Sequence, residues 1–395
     1  MHKLFGINIL TSICSVSISL GFTLFCSRFY SIEEFGDLRY VMTLIPLVVI
    51  ASLPGFDSVV LKAGFDKSRI KLVDIVKVKF TSSAFICAVI YCLIEYGYGG
   101  DKQYFIVLQY VLLLIPLYEL FSSYKNYLIG RGFSRQAASA YFTSKIASVL
   151  LFYILLLVVF LFDLEYIYVI PSFLISLIVP QTVIYFRILR LKIFLLDWKS
   201  VPSRTLLLSG ASSTVAGAFT TLAFSIDKLM VFQFMGAQYL ALYSILIMVP
   251  QEIAKLIDSF IPYIYKSLEK YKIDKLDKRV VFIFLSICMF IPVYIFTFSN
   301  LSGFVFGKEF VYGYVDISLS TILIMTQSVE FYFTQKIYLN RGAKLFIYHS
   351  LVNNVITFSL MYLLGGLFGI SGYLSALVIK NVLLSLMTKL ILDKK

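Results

Sequence analysis

Acidic and basic side chains inside long apolar stretches are the residues of this 395-residue chain whose types and spacing could do chemistry. Glu119 and Glu330 stand well inside apolar runs. Glu252, Lys255 and Asp258 fall at i, i+3 and i+6, so opposite charges can pair along one side of a helix and much of the cluster can neutralise itself. Lys380 is near the middle of the last run. Asp57, Lys145 and the Asp227-Lys228 pair lie nearer to run ends, close enough to water to snorkel. An ionised group at the centre of a membrane costs about 2.5–3.5 kcal/mol even on an insertion-based scale, so it belongs beside a counter-charge or in a wet cavity. Carrying ions, pairing with one another, or holding a charged solute are the tasks open to them, and Glu119, Glu330 and Lys380 mark a candidate pathway.

Other chemistries lack their residues. Cys14, Cys26, Cys87, Cys92 and Cys288 lie in or beside apolar runs without CxxC spacing, and His2 and His349 are far apart, so neither a metal site nor a disulfide framework is expected. No Gly-rich loop ending in Lys-Ser/Thr is present, so ATP hydrolysis by this chain is not expected, nor is a cofactor.

The elements that position these charges are apolar helices. Residues are 59% apolar and 14% charged, with a mean hydropathy of +0.88, which excludes an ordinary soluble globule. Crossing roughly 30 Å of hydrocarbon takes about 20 apolar residues, and about twelve such windows can be drawn. They are 7–27, 39–61, 75–96, 104–124, 141–162, 166–187, 205–227, 239–262, 281–299, 314–335, 345–364 and 368–391. The runs are long and continuous rather than short and alternating, so helices are expected and not a barrel. The first run lacks a small-residue cleavage site before Arg28 and is expected to stay as a helix.

Lys and Arg alternate by loop. With the N terminus inside, one set of flanks holds Lys62, Lys67, Arg69, Lys71, Lys77 and Lys79, then Lys125 to Lys145, Arg187 to Arg204, Lys266 to Arg279, Lys336 to Lys344, and the C-terminal lysines. The opposite flanks hold Arg28, Arg39, Lys102, Lys228 and Lys308. By the positive-inside rule both termini face the cytoplasm, and the +13 net charge needs no nucleic-acid partner.

The chain also repeats internally. Glu119-Leu-Phe-Ser-Ser-Tyr-Lys-Asn-Tyr-Leu-Ile-Gly-Arg-Gly aligns with Glu330-Phe-Tyr-Phe-Thr-Gln-Lys-Ile-Tyr-Leu-Asn-Arg-Gly after one deletion, pairing Glu119 with Glu330 and Arg131-Gly132 with Arg341-Gly342. Phe35, Leu38 and Pro46 correspond to Tyr239, Leu242 and Pro250 without gaps. Two halves are expected, residues 1–200 and 201–395, with six helices each. An even number gives both the same direction and a pseudo-two-fold axis along the membrane normal, with a substrate path between them.

Helix 1 (Ser12, Ser15, Ser17, Ser19) and helix 7 (Ser209, Ser212, Ser213, Thr214, Thr220, Thr221) are equivalent in the repeat and rich in small polar residues. Those residues could line a hydrated cavity or pack neighbouring helices. Pro46, Pro54-Gly55 and Pro250 are expected to kink their helices, since each proline removes an intrahelical hydrogen bond.

Ser27-Arg28-Phe-Tyr-Ser-Ile-Glu-Glu-Phe-Gly36-Asp-Leu after helix 1, then Ser225-Ile-Asp227-Lys228-Leu-Met, Gly236 and Leu242-Tyr-Ser after helix 7, with a closing Gly369-Ile-Ser-Gly372 turn, carry a family likeness. Over nearly its whole length the chain resembles the O-antigen (Wzx-type) polysaccharide flippases of the multidrug/oligosaccharidyl-lipid/polysaccharide exporter superfamily. The resemblance implies an all-α, MATE-like membrane protein of two six-helix lobes in a bacterial inner membrane, working by alternating access. It implies an undecaprenyl-pyrophosphate-linked oligosaccharide as substrate, membrane lipid as surroundings, a polysaccharide polymerase and a chain-length regulator as partners, and proton or sodium as coupling ion. Arg28, Arg39, Lys228 and Lys255 would then attract the pyrophosphate or acidic sugars.

A cation-coupled drug antiporter of the same superfamily is the nearest alternative, and Asp57, Glu119 and Glu330 are the carboxylates it would use. A membrane polysaccharide polymerase or ligase is the enzyme alternative; the long external loop such enzymes carry is missing.

Overall fold

The computed structural model describes residues 2–65, 72–97, 103–118, 121, 123–130, 132–189, 204–253, 291–341 and 343–393. Its elements are helices: α1 His2–Phe29, α2 Ile32–Val49, α3 Phe56–Phe65, α4 Leu72–Gly97, α5 Gln103–Tyr118, α6 Tyr124–Gly130, α7 Ser134–Leu161, α8 Val169–Leu189, α9 Arg204–Met235, α10 237–253, α11 291–300, α12 Ser302–Phe306, α13 Tyr314–Arg341 and α14 Ala343–Asp393. Where they are described, the expected apolar windows fall mainly on helix; residues 254–290, which hold much of the windows 239–262 and 281–299, lie outside the described residues. Among the described residues, seven helices are long and apolar enough to cross a membrane by length and composition. Their outer faces carry exposed Phe85, Leu93, Leu150, Ile154 and Leu367, as suits helices solvated by lipid.

The chain forms two compact units. One contains residues 1–22 and 40–225; the other contains residues 23–39 and 226–395.

In the first unit the second span is broken, as its prolines predict. Pro46 is accommodated inside α2. The helix then tightens into a single 3-10 turn, Ile50–Ser52, and Leu53 takes a left-handed conformation (φ 54°) before Pro54 and Gly55. α3 restarts at Phe56. The break lies directly on α9: the Gly55 amide donates to Thr214 Oγ1 at 3.1 Å, and a Cβ on Gly55 would sit 2.2 Å from the Thr214 nitrogen. Gly210 in turn has the Phe56 ring against it. Small residues at such a crossing let two backbones approach without lipid between them. Around the break, Phe56, Val60, Ile75, Val76, Tyr124, Leu128, Ala137 and Tyr185 form a buried cluster.

The second unit opens on a capping box, legible in the sequence as Ser31-Ile-Glu-Glu34. Glu34 Oε2 accepts from the Ser31 amide at 2.9 Å, and the Glu34 amide donates to Ser31 Oγ at 3.3 Å, starting α2. The first turns of α2 then lie on the turn between α9 and α10, where Gly236 has φ +93°. A Cβ on Gly36 would come within 2.0 Å of the Ala237 carbonyl oxygen, and Gln238 Nε2 donates to Glu33 Oε1 at 2.5 Å. At the far end α14 consists of two helical arms that meet at Gly369, whose φ 60° and ψ −136° are non-helical, where the sequence placed a turn between two helices.

The two matched segments differ in detail: α13 runs unbroken to Arg341, whereas in the first-half segment the described residues 121 and 123, between α5 and α6, are turn.

Candidate functional site

Buried polar clusters occur among the described residues of both units. In the first, the break in the second span turns Asp57 into the first turn of α3 and towards α4. Lys79 Nζ donates to Asp57 Oδ1 and to Ser123 Oγ, both at 3.1 Å, and Ser123 Oγ donates to the same Asp57 oxygen at 2.5 Å. The lysine side chain has 0% exposure and the aspartate 19%, so the acid is the partner that water can reach. Lys77 is buried as well. Both lysines were counted from sequence among the charges flanking a span. α4 begins at Leu72, which carries them inside the helix and against its neighbours.

Lys145, in α7 of the same unit, does not join this cluster. Its Nζ lies 5.5 Å from the centre of the Tyr141 ring, and Lys125 Nζ lies 4.1 Å from that same ring, an arrangement typical of cations on aromatic faces. Glu119 lies outside the described residues.

In the second unit the candidates separate into two groups. Arg28 is exposed; its Nε donates to the Val305 carbonyl at 2.8 Å and its guanidinium stacks 5.5 Å from the Phe304 ring. Arg39 is half-buried, donates to Thr23 Oγ1, lies 5.0 Å over the Phe35 ring and interacts electrostatically with Glu252 on α10. From sequence, Glu252 was assigned a cluster with Lys255 and Asp258; those two lie outside the described residues.

The other group spans α9, α10, α13 and both arms of α14. Asp227, 3% exposed, accepts from Tyr243 Oη at 3.0 Å through Oδ2. Lys380 interacts electrostatically with both Glu330 and Asp227. Glu330 also acts on buried His349, whose Nε2 is 3.1 Å from Thr388 Oγ1. Lys228, next to Asp227 on α9, is half-buried.

Thus Lys380 lies in the field of Asp227 and Glu330, which sequence named separately, and the structure adds Lys79, Ser123, Tyr243, His349 and Thr388. Lys79 could have been found from its place as the fifth residue of the apolar window 75–96. His349 had no sequence signal, because its partners come from residues 330, 380 and 388. Among the described residues no three of His, Cys, Asp and Glu gather as a metal-binding group.

Neither protein-family models nor curated proteins give a match to the sequence. Solved structures do. A multidrug resistance MATE family transporter of the MOP superfamily, in an outward-facing conformation, superposes with a TM-score of 0.66 at 12% identity, over 98% of this chain and 94% of that one. A mutant of the MATE transporter VcmN from Vibrio cholerae gives 0.65 at 12% identity, covering 100% and 95%. A MOP superfamily transporter from Pyrococcus furiosus, described by the words "reverse polarity of binding pocket suggests different function", gives 0.58 at 13% identity, covering 98% and 93%. The chain is a multi-pass membrane protein with the fold of the MATE transporters of the MOP superfamily.

Proposed function

We propose that the protein is a secondary-type transporter, not an enzyme, and that it moves an undecaprenyl-pyrophosphate-linked oligosaccharide, the repeat unit of an O-antigen or similar surface polysaccharide, from the cytoplasmic to the periplasmic leaflet. The halves 1–200 and 201–395 are its two functional lobes, working by alternating access. It resides in a bacterial inner membrane with both termini cytoplasmic, and delivers its product to a polysaccharide polymerase and chain-length regulator.

One observation carries this choice of substrate. Two of the described candidate carboxylates are bonded inside their own unit, Asp57 to Lys79 and Ser123 and Asp227 to Tyr243, while Glu252 lies in the field of Arg39, and Glu330 in that of Lys380 and His349. A site for cationic drugs needs carboxylates available to the drug. Cations in the same unit that offset them leave basic groups such as the exposed Arg28 to meet an anionic head group.

A second reading, a cation-coupled small-molecule or drug antiporter, has its own support: two of the superposed structures are described as MATE transporters, one of them for multidrug resistance. The comparisons favour this reading over the first, and the internal pairing of carboxylates weighs against it.

Deleting the gene separates the two. Loss of surface polysaccharide with the lipid-linked unit accumulating on the cytoplasmic leaflet is the expected result. Intact polysaccharide with new sensitivity to cationic drugs supports the antiporter. Normal delivery of the unit with only chain extension lost points to a polymerase.

A further inference from the structure

Five uncharged polar side chains of the first unit stand apart from the clusters above: Tyr124 on α6, Ser144 and Ser148 on α7, and Gln181 and Tyr185 on α8. Each is buried, none of them more than 8% exposed. Tyr124 Oη, Ser144 Oγ, Ser148 Oγ, Gln181 Oε1 and Tyr185 Oη have no hydrogen-bond partner among the described residues. Buried polar atoms are nearly always bonded, and one that is not costs stability that an apolar group in its place would not. One such atom calls for no explanation; five on three adjoining helices call for a common one.

Packing gathers them into one seam. Phe152 of α7 and Phe173 of α8 meet edge to face, with ring centres 5.9 Å apart. Ala140, earlier on α7, packs against the buried cluster that contains Tyr185, later on α8, so the two helices run antiparallel. Ser144, Ser148 and Gln181 fall between these two contacts, on the faces that the helices turn towards each other. Serines four residues apart project from the same side of α7, as do Gln181 and Tyr185 on α8. Tyr124 belongs to the same buried cluster as Tyr185 and Ala137, and its ring edge is turned to Ser144, which brings α6 to the end of the seam.

The chemistry of these groups selects their ligand. Four hydroxyls can each donate and accept, and the Gln181 oxygen accepts. None of the five supplies a counter-charge for an ion. An acyl chain offers no hydrogen bond, and a transported solute needs an open mouth, which walls this enclosed do not give it. Water is neutral, donates and accepts at once, and is held inside proteins by about 2–4 such groups.

We propose that α6, α7 and α8 enclose a buried water-binding site, in which water bridges Ser144, Ser148, Gln181 and Tyr185 and reaches Tyr124 at its edge. The site uses none of the groups assigned to transport and stands independently of that reading. It makes the α7–α8 contact wet over these turns and dry beyond them, where Phe152, Leu156 and Val159 continue the buried face.

The experiment uses the purified full chain in detergent and needs no substrate. X-ray radiolysis in oxygen-18 water turns bound waters into hydroxyl radicals, which mark the side chains they touch, and peptide mass spectrometry reads the marks. Tyr294 is the control, 2% exposed but with its hydroxyl bonded to Ser320. Tyr124 and Tyr185 are expected to be labelled several-fold more than Tyr294, and labelling no greater than that of Tyr294 overturns the proposal. A second measurement removes one oxygen at a time. In Tyr185→Phe and Ser148→Ala a group held by water is lost, and Tm is expected to fall by about 1 °C or more. If the seam is dry, each variant relieves an unbonded atom, so an unchanged or raised Tm overturns the proposal. Ser148→Ala is also expected to reduce the labelling of Tyr185. If neither variant can be purified, labelling of the wild type still decides.

Discussion

Lys79 Nζ lies 3.1 Å from Asp57 Oδ1, and of the two side chains only the carboxylate has exposed surface. The relationship ties the break in the second span to α4 and, through Ser123, to the segment before α6. Such a pair is costly to form and more costly to halve, because removing one member leaves a buried charge alone. Replacing Lys79 with Met, or Asp57 with Asn, is expected to destabilise the folded protein by about 3–5 kcal/mol. The double replacement, which removes both charges, is expected to recover most of that loss. Thermal unfolding of the three variants in detergent measures it, and a double variant no better than the singles contradicts the pairing.

The contact between Thr214 and the Gly55 amide holds the same break from its other side. Thr214→Val keeps the volume but removes the acceptor for a backbone donor. The expected cost is about 1–3 kcal/mol, the penalty for an unsatisfied buried group. Thr214→Ser keeps the acceptor and is expected to stay near wild type.

Gly36 has no room for a side chain against the Ala237 carbonyl. Gly36→Ala is expected to lower stability by about 1–3 kcal/mol through overpacking, and Gly36→Val by more.

At Gly369 the bend in α14 uses a φ/ψ combination closed to residues with a Cβ. Gly369→Ala is expected to cost about 1–3 kcal/mol by backbone strain. Gly366→Ala, three residues earlier with nothing near the added carbon, is expected to cost little, and the contrast separates strain from a general loss of glycine.

Glu119 and Glu330 are matched by the repeat and named by sequence for a pathway. Replacing each with Gln, singly and together, is expected to lower transport of the lipid-linked unit with membrane abundance unchanged. Full transport by the double variant would reduce both to packing roles.

Sequence by itself determined the membrane environment and the helices, because both rest on local pattern, and its internal matches led to the expectation of two equivalent halves. Runs of about 20 apolar residues cannot be other than spanning helices once lipid is the solvent. The Ser31–Glu34 box, Pro54-Gly55 and Gly369 likewise act within a few residues of themselves, and the structure shows a helix start, a break and a bend at those places. Only the tertiary structure decided which charges meet. Lys79 looked like a flanking charge until α3 and α4 brought Asp57 to it across 22 positions. His349 looked isolated until the bend in α14 returned Thr388 to it from 39 residues away. A charge inside a membrane must find a partner, but which partner depends on helix rotation and crossing, and hydrophobic periodicity carries little of that information when helices are apolar on every side.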